Sequence, residues 1–539
     1  MLRPITLLAL TAFPPTANAL FIRSYNATDH KRFDPWPAAA ENNTNRIQSN
    51  VDLTGIGYRF GTYPARQCAL ISRQHIVFAN HYYPAGLNNG NTVRFLNASN
   101  EFVDRTAGAE IVIPDGVNDS DLVIIALDSP IDADSGISPL PYLDLPNPVD
   151  YVGQNLIVTG KYNVGPPAPD GQFPLIGTGT IAEVASMSEE VDFGGSTGML
   201  TTRYFRFDYL TAGLGPNDCH FEFGDSGSPS IVPIGSTAAL VGVHSGTDDP
   251  IPVVIENYDV FIPFYIAQLD AEMAAMGYRM RSSDPDPTTL STTTTIVQPT
   301  PRKALPLDFD YDLENTGANV TGNVEVEFGF QPGEAPDTIT PPGGWVTYGS
   351  GTKWTFRKAT FDPAATATFS ATWAAAPSVE TLTVDLVRRS DTTADFTQSV
   401  DIDLAPSFAD WASGLAEPGE TDDPDDDMLV NLLEYALGGD PEDGRLIFED
   451  GGPLQPVIEE SGGTVSISFP ERDDAVLRGL SYTLEFSESL ASWSETPPAG
   501  IMTSTAAYAP AVDGFVKRTY SWPADPLKRF VRLSVELNE

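Results

Sequence analysis

The sequence predicts a mainly β, multidomain protein, and three observations carry that expectation. From Val51 to about Val254, short apolar runs are separated by clusters of Gly, Pro, Asn and Asp, which is the pattern of antiparallel barrels. Beyond residue 305, apolar and polar residues alternate over short stretches, as in Val324-Val326-Phe328-Phe330 and Leu382-Val384-Leu386, which is the pattern of half-buried strands. Helical spacing is confined to three short segments. At 539 residues the chain is too long for one ordinary core, so several domains are expected.

In chain order, Met1-Leu2-Arg3-Pro4, the apolar run Ile5 to Phe13 and Ala17-Asn18-Ala19 have the parts of a secretory signal over residues 1–19. A mature chain starting at Leu20 and secreted is the expectation. Residues 20–50 are polar and Asn-rich and read as an N-terminal arm or pro-segment. Residues 51–280 form the barrel-patterned domain, closed by a helix on which Ile262, Tyr265, Ile266, Leu269, Met273 and Met276 share a face and which Gly277 stops. Residues 281–304, rich in Ser, Thr and Pro, read as an extended linker. A β-sandwich over 305–404 follows, bounded by turns such as Pro341-Pro342-Gly343-Gly344. Residues 405–445 read as helix, Asp-rich loop and helix, with Ser407 as N-cap of the first and Gly438-Gly439 stopping the second. A last β-module covers 446–539, with Val465-Ile467-Phe469, Leu480-Tyr482-Leu484-Phe486 and Val531-Leu533-Val535-Leu537 alternating.

Thirty basic against 73 acidic residues give a net charge of −43, which argues against nucleic acid or an anionic membrane as partner, favours solubility and suits a saline setting. No later segment stays apolar for the ~18 residues that a spanning helix requires. Cys68 and Cys219 are the only cysteines and allow either one disulfide or two buried thiols.

The stretch Phe221-Glu222-Phe223-Gly224-Asp225-Ser226-Gly227-Ser228-Pro229 places a serine between glycines, directly after an acid. Gly224 lets the amides of residues 224 and 226 converge on one point, as an oxyanion hole requires. A serine hydroxyl is a weak nucleophile until a base takes its proton, so a histidine and an orienting acid are needed. His81 ends the strand-like run Ala69 to Ala79, and Asp121 opens the run Leu122-Val123-Ile124-Ile125-Ala126-Leu127. His30 lies in the polar arm, His75 inside a strand, and Asp119 is not directly followed by a strand, so these compete poorly.

With these residues the chain resembles the trypsin-like (chymotrypsin-fold) serine peptidases. Their T-A-A-H, D-I-A-L-L and G-D-S-G-[GS]-P motifs correspond to Phe78-Ala79-Asn80-His81, Asp121-Leu122-Val123-Ile124-Ile125 and Gly224 to Pro229. The order His, Asp, Ser separates this family from subtilisins and α/β-hydrolases. The resemblance implies two six-stranded barrels with a cleft between them, and a secreted bacterial endopeptidase acting on proteins or peptides. Its triad would be His81, Asp121 and Ser226, its oxyanion hole Gly224 and Ser226, and its chemistry would need no cofactor. Ser245 matches the serine that hydrogen-bonds the catalytic acid. Asp225 would require a cationic partner: no Ile-Val-Gly-Gly-like start is visible, which leaves the amine of Leu20, an amine at a later cleavage point, or a basic residue such as Lys161. For the substrate pocket, His220 falls near its base and His244 on its wall, where glutamate-specific members also carry a histidine. Thr247 would add a hydroxyl, giving a preference for Glu at P1. Phe221 and Phe223 would instead favour large apolar residues. The alternative from another class is a catalytically silent trypsin-fold binding or adhesion protein. The C-terminal modules are expected to bind a surface or partner.

Finally, Asp423-Pro424-Asp425-Asp426-Asp427-Met428-Leu429-Val430-Asn431-Leu432-Leu433-Glu434 offers oxygens from Asp423, Asp425, Asp427, Asn431 and Glu434, and a backbone carbonyl from Leu429. It resembles EF-hand and dockerin-type calcium loops, which implies a structural Ca²⁺. It departs from them at Met428, which stands where the sharp turn favours glycine.

Overall fold

The computed structural model describes residues 20–36, 39–60, 66–82, 89–163, 172–185, 200–210, 215–222, 224–251, 254–298, 300–448, 451–508, 512–524 and 530–538. The signal-like segment 1–19 and Phe223 lie outside them.

Two closed six-stranded barrels come first. The first joins, around its wall, strands Ile56–Arg59, Gln67–Ser72, His75–Phe78, Asn118–Leu127, Phe102–Asp115 and Thr92–Leu96. The second joins Tyr204–Leu210, Val254–Phe261, Thr237–Ile251, Pro229–Ile234, Asn155–Asn163 and Gln172–Ala185. Several strands are apolar at every position, and the side-chain alternation of a strand explains why. Cys68, Leu70, Ile76, Phe78, Val123 and Ile125 fill the first barrel, while their neighbours Ala69, Ile71, Val77, Leu122 and Ile124 point out of it. Those outward residues share one core with Ile157, Ile231, Leu240 and Val260 of the second barrel, whose own interior holds Leu156, Val158, Val232 and Val241. Both faces of these strands are therefore buried, and the two barrels are held by a common core rather than by a loose contact. The closing helix adds Ile262, Tyr265, Leu269 and Met273 to it; the α-helical part is Ile266–Met273, and Gly277 at φ 75° ends the segment.

His75 is part of this packing. It is buried, its Nδ1 lies 2.7 Å from the Ser72 hydroxyl, and its ring stands edge-on to Tyr278. Burial pushes its pKa down to about 4. The folded state thus binds fewer protons than the unfolded chain between about pH 4 and 6.5, so stability is full above that window and is lost as pH falls through it. The shift corresponds to about 3 kcal/mol. His75→Gln is expected to flatten the acid limb of a stability-versus-pH curve, read by denaturant unfolding at pH 4, 5 and 7.

The arm after residue 20 is integrated into the barrels. Phe21–Ile22 pairs with Cys219–His220, and the fully buried Arg32 donates to the carbonyls of Ile56 (2.9 Å) and Leu53 (2.5 Å). Cys68 and Cys219 are buried free thiols, which excludes the disulfide alternative.

The region expected to be a linker contains a strand. Leu290–Ile296 pairs along its whole length with Leu307–Asn315, joined by Thr366–Trp373 and Thr338–Thr340 in a four-stranded sheet. Its threonines are β-branched and suit an edge strand, and Leu290 anchors it in the core. A five-stranded sheet, Val346–Ser350, Lys353–Phe361, Thr321–Gly329, Thr381–Arg389 and Phe396–Asp403, packs on it through Val326, Phe328, Phe369, Leu382 and Val384. Helices Phe408–Ala412, capped by the Ser407 hydroxyl, and Asn431–Leu437 follow. The final residues form a four-stranded and a two-stranded sheet around Ile467, Phe469, Phe486 and Trp522.

Candidate active site

The first barrel supplies the base and the acid from adjacent strands. His75–Phe78 pairs with Asn118–Leu127 in a register that sets Phe78 opposite Val123, so the 3-10 turn Asn80–Tyr82 carries His81 to the end where Asp121 sits. Asp121 is fully buried. Its carboxylate accepts the His81 backbone amide at 2.7 Å, the His81 ring Nδ1 at 2.8 and 3.0 Å, and the Ser245 hydroxyl. Nδ1 faces a carboxylate and is therefore the protonated nitrogen. Nε2 is left to accept from the Ser226 hydroxyl, 2.8 Å away. The structure thus brings His81, Asp121, Ser226 and Ser245 into one hydrogen-bonded chain. Thr202 also belongs to it, since its hydroxyl accepts the Asp121 amide at 2.7 Å. No pattern in the sequence marks Thr202, because its role depends on a chain crossing 81 residues away.

The turn that bears Ser226 is fixed by its glycines. Gly224 and Gly227 have φ of 100° and 87°, and a Cβ on Gly227 would run into the ring of Phe78. The amides of Asp225, Gly227 and Ser228 donate to the carbonyls of Glu222 (3.1 Å), His244 (3.0 Å) and Asp225 (3.0 Å). Among the described residues, the amides of Gly224 and Ser226 have no such acceptor. Two donors beside the Ser226 hydroxyl are thus left for a ligand oxygen.

Asp225 turns away from the cleft and is fully buried. Burial raises its pKa, opposed by the amides of Lys161 (3.0 Å) and Glu222 (3.0 Å), by the Lys161 charge and by His244. Lys161 is itself buried, which lowers its pKa to about 8 against the pull of Asp225. Leu20 lies alongside: its amide donates to the Lys161 carbonyl at 2.9 Å, and a Cβ on Gly160 would meet both Leu20 (2.8 Å) and the Asp225 carboxylate (2.9 Å). Two of the three partners considered for Asp225, Leu20 and Lys161, therefore lie beside it.

The histidines expected in the substrate pocket are engaged elsewhere. His244 is 1% exposed, with Nδ1 2.7 Å from the Asp259 carboxylate and Nε2 2.6 Å from the Thr159 carbonyl. Both ring nitrogens are engaged within the protein, and the Phe221 ring covers the imidazole at 3.8 Å. His220 stacks on Phe21 and lies tilted against Tyr209, and its Nδ1 is 2.9 Å from the Phe221 carbonyl. With both ring nitrogens occupied within the protein, His244 is not available to a P1 carboxylate in the way the sequence led one to expect. Thr247 is exposed on its strand opposite Asn257.

No protein-family model matches the sequence, and no curated protein matches it. Among solved structures the chain is similar to the secreted serine protease VesC from Vibrio cholerae, at 9% identity and a TM-score of 0.28, over 90% of this chain and 97% of that one. At that score the likeness decides nothing about activity. Among the described residues no helix is long and apolar enough to cross a membrane.

A second cluster lies in the Asp-rich loop. Carboxylate oxygens of Asp423, Asp425 and Asp427 lie within 4.8 Å of one another. The loop folds inward on itself, with the amides of Asp427 and Met428 donating to Asp423 and that of Leu429 to Asp427. Met428 adopts φ 77°, the conformation for which glycine is the usual residue, with its side chain 83% exposed. Among the described residues, buried oxygens of Asp425, Asp427, Asn431 and Glu434 have no hydrogen-bond partner. Glu434 is 1% exposed, and burial, then the charges of Asp425, Asp427 and Asp423, push its pKa up to about 7. Such a set of orphaned oxygens fits a hard cation.

Proposed function

We propose that this chain is a serine endopeptidase of the trypsin-like class, hydrolysing peptide bonds in protein or peptide substrates outside the cell. The observation that carries the reading is the continuous chain Asp121–His81–Ser226 beside two uncommitted amides. Ser226 Oγ attacks the scissile carbonyl carbon while its proton passes to His81 Nε2. The carbonyl oxygen becomes an oxyanion held by the Gly224 and Ser226 amides. Collapse breaks the C–N bond, the leaving amine takes the proton from His81, and an ester to Ser226 remains. Water then gives a proton to His81 and its oxygen to the acyl carbon, and the return of that proton to Ser226 Oγ releases the carboxylic acid. Asp121 stays ionised throughout and fixes the imidazole. Ser245 and Thr202 hold Asp121 in turn. Labelling by a fluorophosphonate probe tests the reading: stoichiometric modification of Ser226 is expected, and an unlabelled, folded chain would point instead to a silent binding protein. By their position after the barrels, the C-terminal modules serve to hold a surface or partner.

The Asp-rich loop supports a second assignment, a structural Ca²⁺ held by Asp423, Asp425, Asp427, Asn431, Glu434 and the Leu429 carbonyl. The ion would neutralise a cluster that otherwise destabilises the fold, without entering the chemistry. Millimolar calcium is expected to raise the melting temperature of the 405–539 region, by an amount equivalent to about 2.7 kcal/mol at a hundred times Kd. Glu434→Gln is expected to act with opposite signs. It should raise melting in chelator, by removing a buried repelled charge, and abolish the calcium shift. Calorimetry of both chains with and without calcium checks this, and a calcium shift retained in the variant would refute it.

A further inference from the structure

Away from the triad, a cavity of about 360 Å³ opens where the first barrel meets the β-sandwich. Its walls carry four guanidiniums, Arg73, Arg281, Arg357 and Arg389, against the carboxylates of Glu325, Asp391 and Asp395. In a chain with 73 acidic and 30 basic residues, that concentration of positive charge is unusual.

Carboxylates offset much of it, and they are concentrated on Arg73 and Arg389 rather than on Arg357 Nη1 and Arg281. Glu325 is buried and accepts from Arg73, from Arg357 Nε at 2.8 Å and from Arg389 at 3.1 Å. Burial opposes its ionisation, but Arg73, Arg357 and Arg389 outweigh that and hold its carboxyl below the ordinary range. Glu325 is thus shared among three cations, of which Arg389 also reaches Glu327 and Asp134, each at 3.6 Å. Asp391 is occupied by the Asn323 amide at 3.0 and 3.1 Å and by Arg279 at 3.6 Å. Asp395, 62% exposed, reaches only Arg389, at 3.5 Å. Arg281 has a single backbone acceptor, the Pro139 carbonyl at 3.2 Å.

Among the described residues, three buried donors lining the cavity have no hydrogen-bond acceptor: Arg389 Nε, which has only Asp395 nearby at 3.5 Å, and one each on Arg357 and Tyr278. Arg357 is 4% exposed, lies over the Tyr348 ring at 4.1 Å, and its Nη1 has no hydrogen-bond partner. Tyr278 is 4% exposed, and its hydroxyl also has none. Both residues line the cavity. A buried, unpaired donor costs free energy unless something accepts from it, and a guanidinium fork beside a phenol hydroxyl matches the oxygens of an anion. Water occupies about 30 Å³ per molecule, so the cavity has room for a polyatomic anion with part of its hydration shell.

We propose that this cavity is a binding site for a small, doubly charged oxyanion of the phosphate or sulfate type, held by Arg357, Arg281 and the Tyr278 hydroxyl. Because its walls come from both units, occupancy clamps the first barrel to the sandwich. The site stands apart from the serine chemistry and does not depend on it.

The test uses the full chain and inorganic phosphate. At constant ionic strength, replacing chloride by phosphate is expected to raise the melting temperature saturably, and titration calorimetry should give one site. Tyr278→Phe removes a hydroxyl that has no hydrogen-bond partner among the described residues. It should therefore melt like the parent in chloride but bind phosphate about tenfold or more weakly, as loss of a hydrogen bond to a charged group predicts. Arg281→Gln should weaken binding by at least as much. Equal stabilisation by chloride and phosphate, or equal phosphate affinity in the parent and Tyr278→Phe, would overturn the proposal.

Discussion

Replacing Ser226 by alanine is expected to lower kcat/KM for a peptide substrate by about 10⁴- to 10⁶-fold with little change in KM or melting temperature. That factor equals roughly 5–8 kcal/mol of transition-state stabilisation. The loss is so large because what remains beside His81 is the pair of amides at 224 and 226, which stabilise an oxyanion but cannot attack. The fold loses little, since the half-buried Ser226 contributes one hydrogen bond, to His81, worth about 1 kcal/mol. The turn is held instead by Gly224, Gly227 and the Asp225, Gly227 and Ser228 amides, none of which the substitution touches. Steady-state kinetics on a peptide library, together with loss of fluorophosphonate labelling, provides the measurement. Turnover within a few-fold of the parent would remove Ser226 from the nucleophile's role.

The parts of this molecule that are legible in its sequence are those fixed by local pattern. His81 and Asp121 can be picked out because each adjoins an apolar strand, and those strands are apolar throughout because both their faces are buried, one inside the barrel and one against its partner. Ser226 is legible because a turn with two positive-φ positions requires Gly224 and Gly227. What the sequence hides depends on partners distant along the chain. The strand Leu290–Ile296 resembles a linker because threonine and serine alternate with nothing apolar, and its pairing is supplied by residues 307–315. Arg32 looks like a surface cation in a polar arm until the carbonyls of Leu53 and Ile56 enclose it. His244 is the instructive case. Its place in the strand is readable, but its meaning is set by Asp259, which the strand pairing puts directly opposite, and by the Thr159 carbonyl on the other side. A histidine that would suit recognition of an acidic side chain is used instead in packing the protein interior.

Asp121→Asn is the more discriminating substitution, because it leaves every heavy-atom position available and changes only where protons sit. An asparagine at 121 can still accept the His81 backbone amide through its carbonyl, and the Thr202 hydroxyl still holds the residue's own amide. The side-chain NH₂, however, must then face His81 Nδ1, where the carboxylate accepted at 2.8 Å. A donor there forces the opposite tautomer, with the proton on Nε2 and pointing at Ser226, so the ring can no longer take the serine's proton. The positive imidazole formed during attack also loses its counter-charge. The expected result is a fall of about 10⁴-fold in kcat at unchanged KM, with fluorophosphonate labelling slowed in parallel and the melting temperature close to the parent's. Asp119→Asn serves as the control: Asp119 lies two residues upstream and is exposed, and its backbone carbonyl, which accepts from Thr201 at 2.8 Å, survives the change. Activity within about twofold of the parent is expected there, as for a surface substitution away from the reacting groups. A loss at Asp119 equal to that at Asp121 would mean that the acid acts through the field of the loop as a whole, and the assignment of Asp121 as the residue that fixes the His81 tautomer would fall.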